Sequence, residues 1–287
     1  MLWQGRRQSS NVEDRRGMGG KGLAVGGGIG TLVIAAIVYL LGGDPSAVIN
    51  NAQNQQLQET TAPTKADDAA GQFAAVVLAD TEDIWSALFK QMNRNYSAPT
   101  LVLFSQATQS GCGFASQASG PFYCPADSKV YVDLTFFDEM KQRFNAAGDF
   151  AQAYVIAHEV GHHVQHLLGL TDKVDAQRGR ISETEMNKLS VKLELQADFL
   201  AGVWAHYEQQ LKDPQLNSSV IQAGDIEEAL NAANAIGDDR LQQQSQGYVV
   251  PDAFTHGTSA QRIEWFKRGF TSGDISQGDT FNDPSLN

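Results

Sequence analysis

The stretch YVIAHEVGHHVQHLLG, residues 154–169, constrains the fold more than any other part of the sequence. It belongs to a longer segment whose apolar residues recur at helical spacing, which predicts a long helix. His158 and His162 are four residues apart, so a helix places both imidazoles on one face, with Cβ atoms about 5–6 Å apart. Two imidazoles in this arrangement can share one Zn²⁺ at ~2.0–2.1 Å each. The fold must then bring a further ligand to this face.

Glu159 directly follows the first histidine and completes the pattern H-E-x-x-H. A carboxylate at this position can accept a proton from a water on the metal, which is the role of a general base. The pattern has only three fixed letters, and histidines also occur on solvated helix faces. A third ligand is therefore the test, and a histidine six residues after His162 is excluded because Leu168 stands there.

A pair of acidic residues on a second predicted helix supplies the missing ligand. Glu194 and Asp198, in the stretch ELQAD, are again four residues apart and share one helix face. Their neighbours are apolar, and burying two carboxylates without partners would be costly. We therefore predict Glu194 as the third metal ligand and Asp198 as the acceptor of a hydrogen bond from the outer nitrogen of a ligand histidine. The alternative is that both acids face solvent.

Three protein ligands leave one position open, which is typical of catalytic rather than structural zinc sites. We expect one Zn²⁺ per chain and hydrolysis of a protein or peptide substrate. The carbonyl oxygen of the substrate becomes negative during the reaction, and besides zinc it needs a hydrogen-bond donor to stabilise that charge. We predict His256, which lies in a Thr/Gly/Ser loop before a helix, with Tyr248 as the alternative donor. Arg262 could orient this loop or a substrate carbonyl, and His256 could instead only pack against the helix.

The remaining patterns predict an α+β fold that is predominantly helical, with a small sheet. TLVLF at 100–104 and VYVDLTFF at 130–137 are typical of strands, and DIEEALNAANAIGDDRLQQQ at 225–244 predicts a third helix. Cys112 and Cys124 flank a stretch with glycines and a proline, so a disulfide is feasible and an oxidising compartment would favour it. The alternatives are two unpaired cysteines, or half of a four-cysteine zinc site that lacks its other half.

The charge of the chain is negative overall but unevenly distributed. The 287 residues carry a formal net charge of −12, which argues against a nucleic-acid partner because phosphate binding needs clustered Lys and Arg. Five of the 21 basic residues nevertheless lie in residues 1–22, with two of the 33 acidic ones. We interpret residues 1–22 as a basic cytoplasmic head.

An uncharged stretch, LAVGGGIGTLVIAAIVYLLGG at 23–43, has the length of a membrane span. As a helix it would extend about 31 Å, close to the thickness of a bilayer core. The alternatives are a cleaved signal peptide and a buried helix. The apolar core of a signal peptide is usually shorter, so we favour a retained transmembrane helix, with the N-terminus in the cytoplasm. Residues 44–69 are rich in Gln, Asn and Thr and predict a flexible tether before a zinc metallopeptidase domain at 70–287.

Several stretches also resemble known families. VIAHEVGHH with ELQAD resembles the gluzincins, which use Glu as the third zinc ligand. Nearly the whole chain resembles the bacterial family of predicted neutral zinc metallopeptidases. The matching stretches are WQGRR…NVEDRR, GCG…GPFYCPAD, GDFAQAYVIAHEVGHHVQ, LQADFLAGVWAH, AIGDDRLQQQSQG and FTHGTSAQRIEWFKRGF.

This resemblance implies a zincin-like metallopeptidase domain preceded by one N-terminal transmembrane helix, and it implies no particular substrate. We accordingly expect a single-pass protein of the bacterial inner membrane, anchored through residues 23–43, with its catalytic domain in the periplasm or outside the cell. The alternative function is a non-catalytic, zinc-containing binding or adaptor module of the envelope. Glu159 favours the peptidase, because a scaffold needs metal ligands but no base.

Overall fold

The computed structural model describes residues 1–16, 68–116, 119–213 and 215–286. Within these ranges the α-helices, α1 to α8, are Ala69–Gln91, Thr135–Arg143, Asp149–Leu167, Leu170–Asp175, Glu183–Glu208, Asp225–Ala235, Asp238–Gln246 and Ser259–Ser272. The strands, β1 to β6, are Val12–Asp14, Thr100–Phe104, Ala107–Ser110, Gly113–Ser116, Phe122–Cys124 and Lys129–Asp133. Short 3₁₀ helices are Pro251–Ala253, Ile275–Gln277 and Pro284–Leu286. The fold of these residues is α+β and mostly helical, as predicted.

Two small sheets flank the helices. The larger one has the strand order β1-β2-β6-β5, in which β1, β2 and β6 are parallel and β5 is antiparallel to β6. β3 and β4 form a separate antiparallel pair. A disulfide between Cys112 and Cys124, with a Cα–Cα distance of 5.8 Å, joins the turn of this pair to β5. The disulfide prediction is therefore confirmed.

Two elements differ from the sequence prediction. The strand expected at 130–137 ends at Asp133, because its carboxylate accepts hydrogen bonds from the backbone N and the hydroxyl of Thr135 at 3.0 and 2.8 Å and α2 begins there. The single helix expected at 225–244 is broken between α6 and α7. At the break, Asp238 turns its carboxylate to the backbone N–H groups of the loop before α8 instead of to solvent.

The core lies between α3, α5 and α8, and α1 and the central strands β2 and β6 add further large buried side chains to it. Phe150 of α3 stacks on Trp204 of α5, with ring centroids 5.7 Å apart. α5 and α8 approach so closely that a Cβ on Gly202 would lie 2.1 Å from the carbonyl oxygen of Phe266. Because only glycine permits this contact, the position of α8 on α5 is fixed by backbone packing as well as by side chains.

Residues 1–16 pack against the same body as the helices. β1 is hydrogen-bonded to β2 in the sheet. The guanidinium of Arg6 is largely buried and pairs with Glu208 of α5 at 3.0 Å and with Asp80 of α1 at 2.8 Å. The start of the chain is thus part of the same packed unit as α1 and α5.

These observations correct the predicted membrane topology. In the described ranges, no helix combines the length and the apolar character that crossing a bilayer requires. The segment 23–43 and nearly all of the expected tether, 44–69, lie outside the described residues. A single-pass location would put residues 1–16 across the membrane from the domain, yet β1 is paired with a strand of that domain. The transmembrane helix in our predicted fold and the inner-membrane location were therefore wrong.

Candidate metal centre

The site is formed where α3 and α5 cross. α3 carries His158, Glu159 and His162, and α5 carries Glu194. Gly161 lies at the crossing, and a Cβ there would be 3.0 Å from the carbonyl oxygen of Ala197, tighter than ordinary packing allows. The glycine between the two histidines therefore lets α5 approach closely enough for its carboxylate to reach them.

Three side chains converge at this crossing. Nε2 of His158 lies 3.1 Å from one carboxylate oxygen of Glu194, and Nε2 of His162 lies 3.4 Å from the other. One ligand atom from each of the three residues lies within 4.8 Å of the others. Tetrahedral zinc with ligand bonds of ~2.0–2.1 Å separates its ligand atoms by roughly 3.3 Å. The donor set and its spacing thus fit zinc, and these three residues could hold it.

The Nδ1 atoms of His158 and His162 both have a hydrogen-bond partner within the protein. Nδ1 of His158 donates to Asp198 at 2.9 Å, and Nδ1 of His162 donates to the side-chain oxygen of Gln165 at 2.9 Å. In the neutral imidazoles, these bonds assign the proton to Nδ1 and leave both Nε2 atoms with lone pairs directed at the Glu194 carboxylate. Groups that can only accept hydrogen bonds repel one another unless a cation or a proton lies between them, so the arrangement itself calls for positive charge.

The pKa values of His158 and Glu194 reflect the attraction between the histidines and the neighbouring carboxylates. Burial lowers the pKa of His158, but the carboxylates of Asp198 and Glu194 more than compensate and raise it to about 10. Burial raises the pKa of Glu194, yet His162 and His158 hold it well below its usual range. The centre therefore keeps an ionised carboxylate and attracts cations in a buried position.

Asp198 is the most heavily hydrogen-bonded group near the site. It is fully buried and accepts from the Tyr154 hydroxyl at 2.5 Å, besides His158. Arg262, only 3% exposed, donates to it from Nε at 2.8 Å and from Nη2 at 3.1 Å. Burial raises the pKa of Asp198, but Arg262 and His158 lower it to about 2. The structure thus places Arg262 behind the ligands, on Asp198, and not in the loop or against a substrate as its sequence position suggested.

Gln165 was missed by the sequence reasoning. It is fully buried, and its amide nitrogen donates to the Leu193 carbonyl at 2.7 Å and to the side chain of Gln196 at 3.0 Å. This leaves the amide oxygen facing His162, so Gln165 orients the imidazole of His162 as Asp198 orients that of His158. The signal available in the sequence was its spacing, because it follows His162 by three residues on the same helix.

Glu159 is buried beside the first ligand and 7% exposed. Its side chain forms no hydrogen bond within the ranges that the structure covers. Its charge contributes to the raised pKa of His162, which places it within electrostatic reach of the ligands. Glu159 is therefore a buried carboxylate next to the centre that is not committed to another contact.

His256 lies in the loop before α8, where Asp238 holds it. One carboxylate oxygen of Asp238 accepts from the backbone N–H groups of residues 255–257 at 2.6–3.1 Å, and the other lies 3.2 Å from Nδ1 of His256. The charge of Glu194 also acts on the His256 imidazole. Tyr248 is 60% exposed, and no side-chain hydrogen bond ties it to the centre in the part of the chain that the structure describes. Asp238 was not identified from the sequence.

The two other histidines near the centre on α3, His163 and His166, contact Tyr123 of β5 instead. The Tyr123 hydroxyl of β5 lies 3.0 Å from Nδ1 of His163 and 2.7 Å from Nδ1 of His166. Nε2 of His163 donates to the Ser97 carbonyl at 2.6 Å, and burial lowers the pKa of His163 to about 4. These two histidines attach β5 to α3, while His158 and His162 form the centre.

Comparison with known proteins agrees with this geometry. A family described as "Putative neutral zinc metallopeptidase" matches residues 1–281. The chain belongs to this family. It is 51% identical to the uncharacterized protein YpfJ of Escherichia coli (strain K12), over 98% of this chain and 99% of that protein. It is 40% identical to the uncharacterized protein Mb2605 of Mycobacterium bovis, over 86% of each chain.

The same 40% identity relates the chain to the uncharacterized protein Rv2575 of Mycobacterium tuberculosis (strain H37Rv), over 86% of each chain. No solved structure matches. The resemblance inferred from the sequence is confirmed, and the family implies zinc and a metallopeptidase activity.

Replacing Arg262 tests the network behind the ligands. Arg262→Met leaves the buried Asp198 carboxylate without its main cation, so we expect the free energy of unfolding to fall by about 3–5 kcal/mol. Urea unfolding in the presence of a chelator measures this without a contribution from metal. Arg178→Met is the matched control, because Arg178 is 69% exposed and pairs with half-exposed Asp175; it should change stability by less than ~1 kcal/mol. Equal effects of the two substitutions would contradict the assignment.

Replacing Gln165 tests the orientation of the second ligand. Gln165→Ala frees the outer nitrogen of His162, so we expect zinc affinity to fall by about 10–100-fold while the helix content stays unchanged. Competition with a chromophoric chelator measures the affinity. Gln244→Ala, at an exposed position of α7, should bind zinc as the wild type does. Unchanged affinity in Gln165→Ala would remove this residue from the site.

Proposed function

We propose that this metallopeptidase is an endopeptidase that hydrolyses peptide bonds with Glu159 as general base. The observation that carries the proposal is the three-residue donor set, which leaves a fourth position open, beside a buried carboxylate without a hydrogen bond. A structural zinc site would be closed by a fourth protein ligand. An adaptor module would have no use for Glu159, whose burial as an uncommitted acid is costly.

The protein holds the reactants through rigid elements. His158, His162 and Glu194 would hold the zinc, and Asp198 and Gln165 keep the two imidazoles in the orientation that ligation needs. When bound, zinc would polarise the scissile carbonyl and lower the pKa of the attacking water. Because all three ligands are on helices, their positions do not depend on loop closure.

Proton transfer is the task of Glu159. As water attacks the carbonyl carbon, its proton passes to the Glu159 carboxylate, and the same proton is then delivered to the nitrogen of the leaving amine as the C–N bond breaks. The negative charge that develops on the carbonyl oxygen needs a further donor. His256 is suited to this role, because Asp238 fixes its Nδ1 side and the charge of Glu194 acts on its imidazole.

Replacing Glu159, the proposed base, should abolish peptidase activity without changing zinc binding. Glu159→Gln keeps the shape of the side chain but cannot accept the proton, so we expect full zinc content, an unchanged melting temperature and loss of peptidase activity. A quenched fluorescent peptide library or casein serves as substrate, with a chelator abolishing wild-type turnover and added zinc restoring it. Glu183→Gln, an exposed Glu→Gln change at the start of α5, is the control and should retain activity. A fully active Glu159→Gln variant would refute the mechanism, and an inactive, zinc-loaded wild type would favour the adaptor.

Removing His256 tests the second donor. His256→Ala should retain zinc and thermal stability, because the side chain is 49% exposed. Turnover should fall by ~10²–10³, the usual effect of losing one oxyanion donor, with little change in KM. Tyr248→Phe in parallel tests the alternative donor and is expected to be near wild type. The reverse pattern of the two variants would transfer the role to Tyr248.

A further inference from the structure

A cavity of about 700 Å³ lies beyond the C-terminal end of α3. Its walls come from the start of α4, the N-terminal half of α5 and the segment 275–282. Cavities of roughly 300–1,000 Å³ are typical of small-molecule sites in proteins. The space is therefore large enough for a ligand.

We propose that this cavity binds an unbranched aliphatic monocarboxylate, with the alkyl chain inside and the carboxylate at Lys173. The proposal stands apart from the proposed peptidase activity. It rests on three properties of the lining, namely its apolar walls, its lysine without an acid partner and the small number of polar groups that could serve an amide ligand.

The walls of the cavity are mostly aliphatic. The apolar lining includes Leu168, Leu170, Val174, Ile181, Leu189 and Phe281. Most of these side chains are only partly buried by the protein itself. Covering them with an alkyl chain removes apolar surface from water, which is the main source of affinity for such ligands.

Two lining residues carry charge, and only one of them has a partner. Asp279 accepts hydrogen bonds from the backbone N of Asn282 at 3.2 Å and from its side-chain amide at 2.7 Å. Lys173 is exposed and pairs with no acid within the described ranges. The two charges of the lining sum to zero, but both oxygens of Asp279 already accept hydrogen bonds, whereas the Lys173 ammonium has no acid partner in the described ranges. Lys173 is therefore the charged group of the lining that can gain a carboxylate as its partner.

Several polar groups of the lining are satisfied within the protein, whereas the Gln177 side chain forms no hydrogen bond within the described ranges. Gln196 accepts from Gln165 through its oxygen and donates from its nitrogen to the Gly278 carbonyl at 2.7 Å. The Ser276 hydroxyl donates to Asp274 at 2.8 Å. A peptide carries an amide group at every residue, so a single free glutamine would leave most of them without partners, which is costly, whereas an alkyl chain has none to satisfy.

The cavity is separate from the metal centre but close to it. Gln196 is a wall of the cavity, and Gln165, fully buried, fills the space between Gln196 and His162. A ligand in the cavity would thus lie on the side of His162 that faces away from Glu194. It does not compete with a peptide substrate for the open metal position.

Calorimetric titration of the full chain with decanoate, octanoate and decylammonium tests the proposal. We expect saturable binding of one decanoate per chain, an affinity that rises roughly fourfold per methylene from octanoate to decanoate, and weaker binding of decylammonium. Lys173→Glu should reduce decanoate affinity about five- to tenfold and reverse the preference between the two head groups. Because Lys173 is exposed, this variant should fold normally, which its melting temperature checks.

Lys90→Glu is the matched control, a charge reversal at an exposed lysine that does not line the cavity, and it should bind decanoate as the wild type does. Three results would overturn the proposal. They are the absence of saturable decanoate binding, equal affinity in Lys173→Glu and wild type, and tighter binding of an acetylated apolar tripeptide carboxylate than of decanoate.

Discussion

The buried carboxylate of Asp198 is the interaction on which the rest of the structure depends. It lies on α5 and binds His158 and Tyr154 of α3 and Arg262 of α8, so three helices meet at one charge. An unpaired charge in this position would cost several kcal/mol, and the fold is therefore stable only when all three helices are in register. The orientation of the His158 imidazole is consequently set by the same contacts that assemble the core. Site geometry and helix packing cannot vary independently here.

The position of α8 in turn determines where the loop before it can go. Residues 255–257 direct their backbone N–H groups at Asp238, and this is possible only because α6 and α7 are separated by a break at residues 236–237. A continuous helix would carry Asp238 past the loop. His256 thus reaches the neighbourhood of Glu194 through two successive constraints, the docking of α8 by Arg262 and the capture of the loop by Asp238.

Local periodicity explains which parts of this arrangement could be predicted. The four-residue spacings of His158 with His162 and of Glu194 with Asp198 identify shared helix faces directly. The strand β2 likewise has the bounds that its β-branched, apolar sequence predicts. Gln165 and Arg262 depend on which helix packs behind α3, and Asp238 depends on a loop 17–19 residues away, so no local pattern indicates their roles. The membrane prediction failed for the same reason. It used the length and apolar character of one segment and could not include the pairing of β1 with β2.

The protonation of His256 links this geometry to its proposed role. Its Nδ1 lies 3.0 Å from the Thr255 hydroxyl and 3.2 Å from a carboxylate oxygen of Asp238. A neutral imidazole that donates to this carboxylate presents only a lone pair from Nε2, so in that arrangement donation to a substrate oxyanion requires the imidazolium. Burial lowers the pKa of His256, but the hydrogen bond to Asp238 and the charge of Glu194 raise it above its ordinary value. In the proposed role, Asp238, whose own pKa is lowered, would keep the second donor protonated as well as anchor it. The donor is present below this raised pKa and is lost as the pH rises through it, while the ligands and Glu159 remain in place.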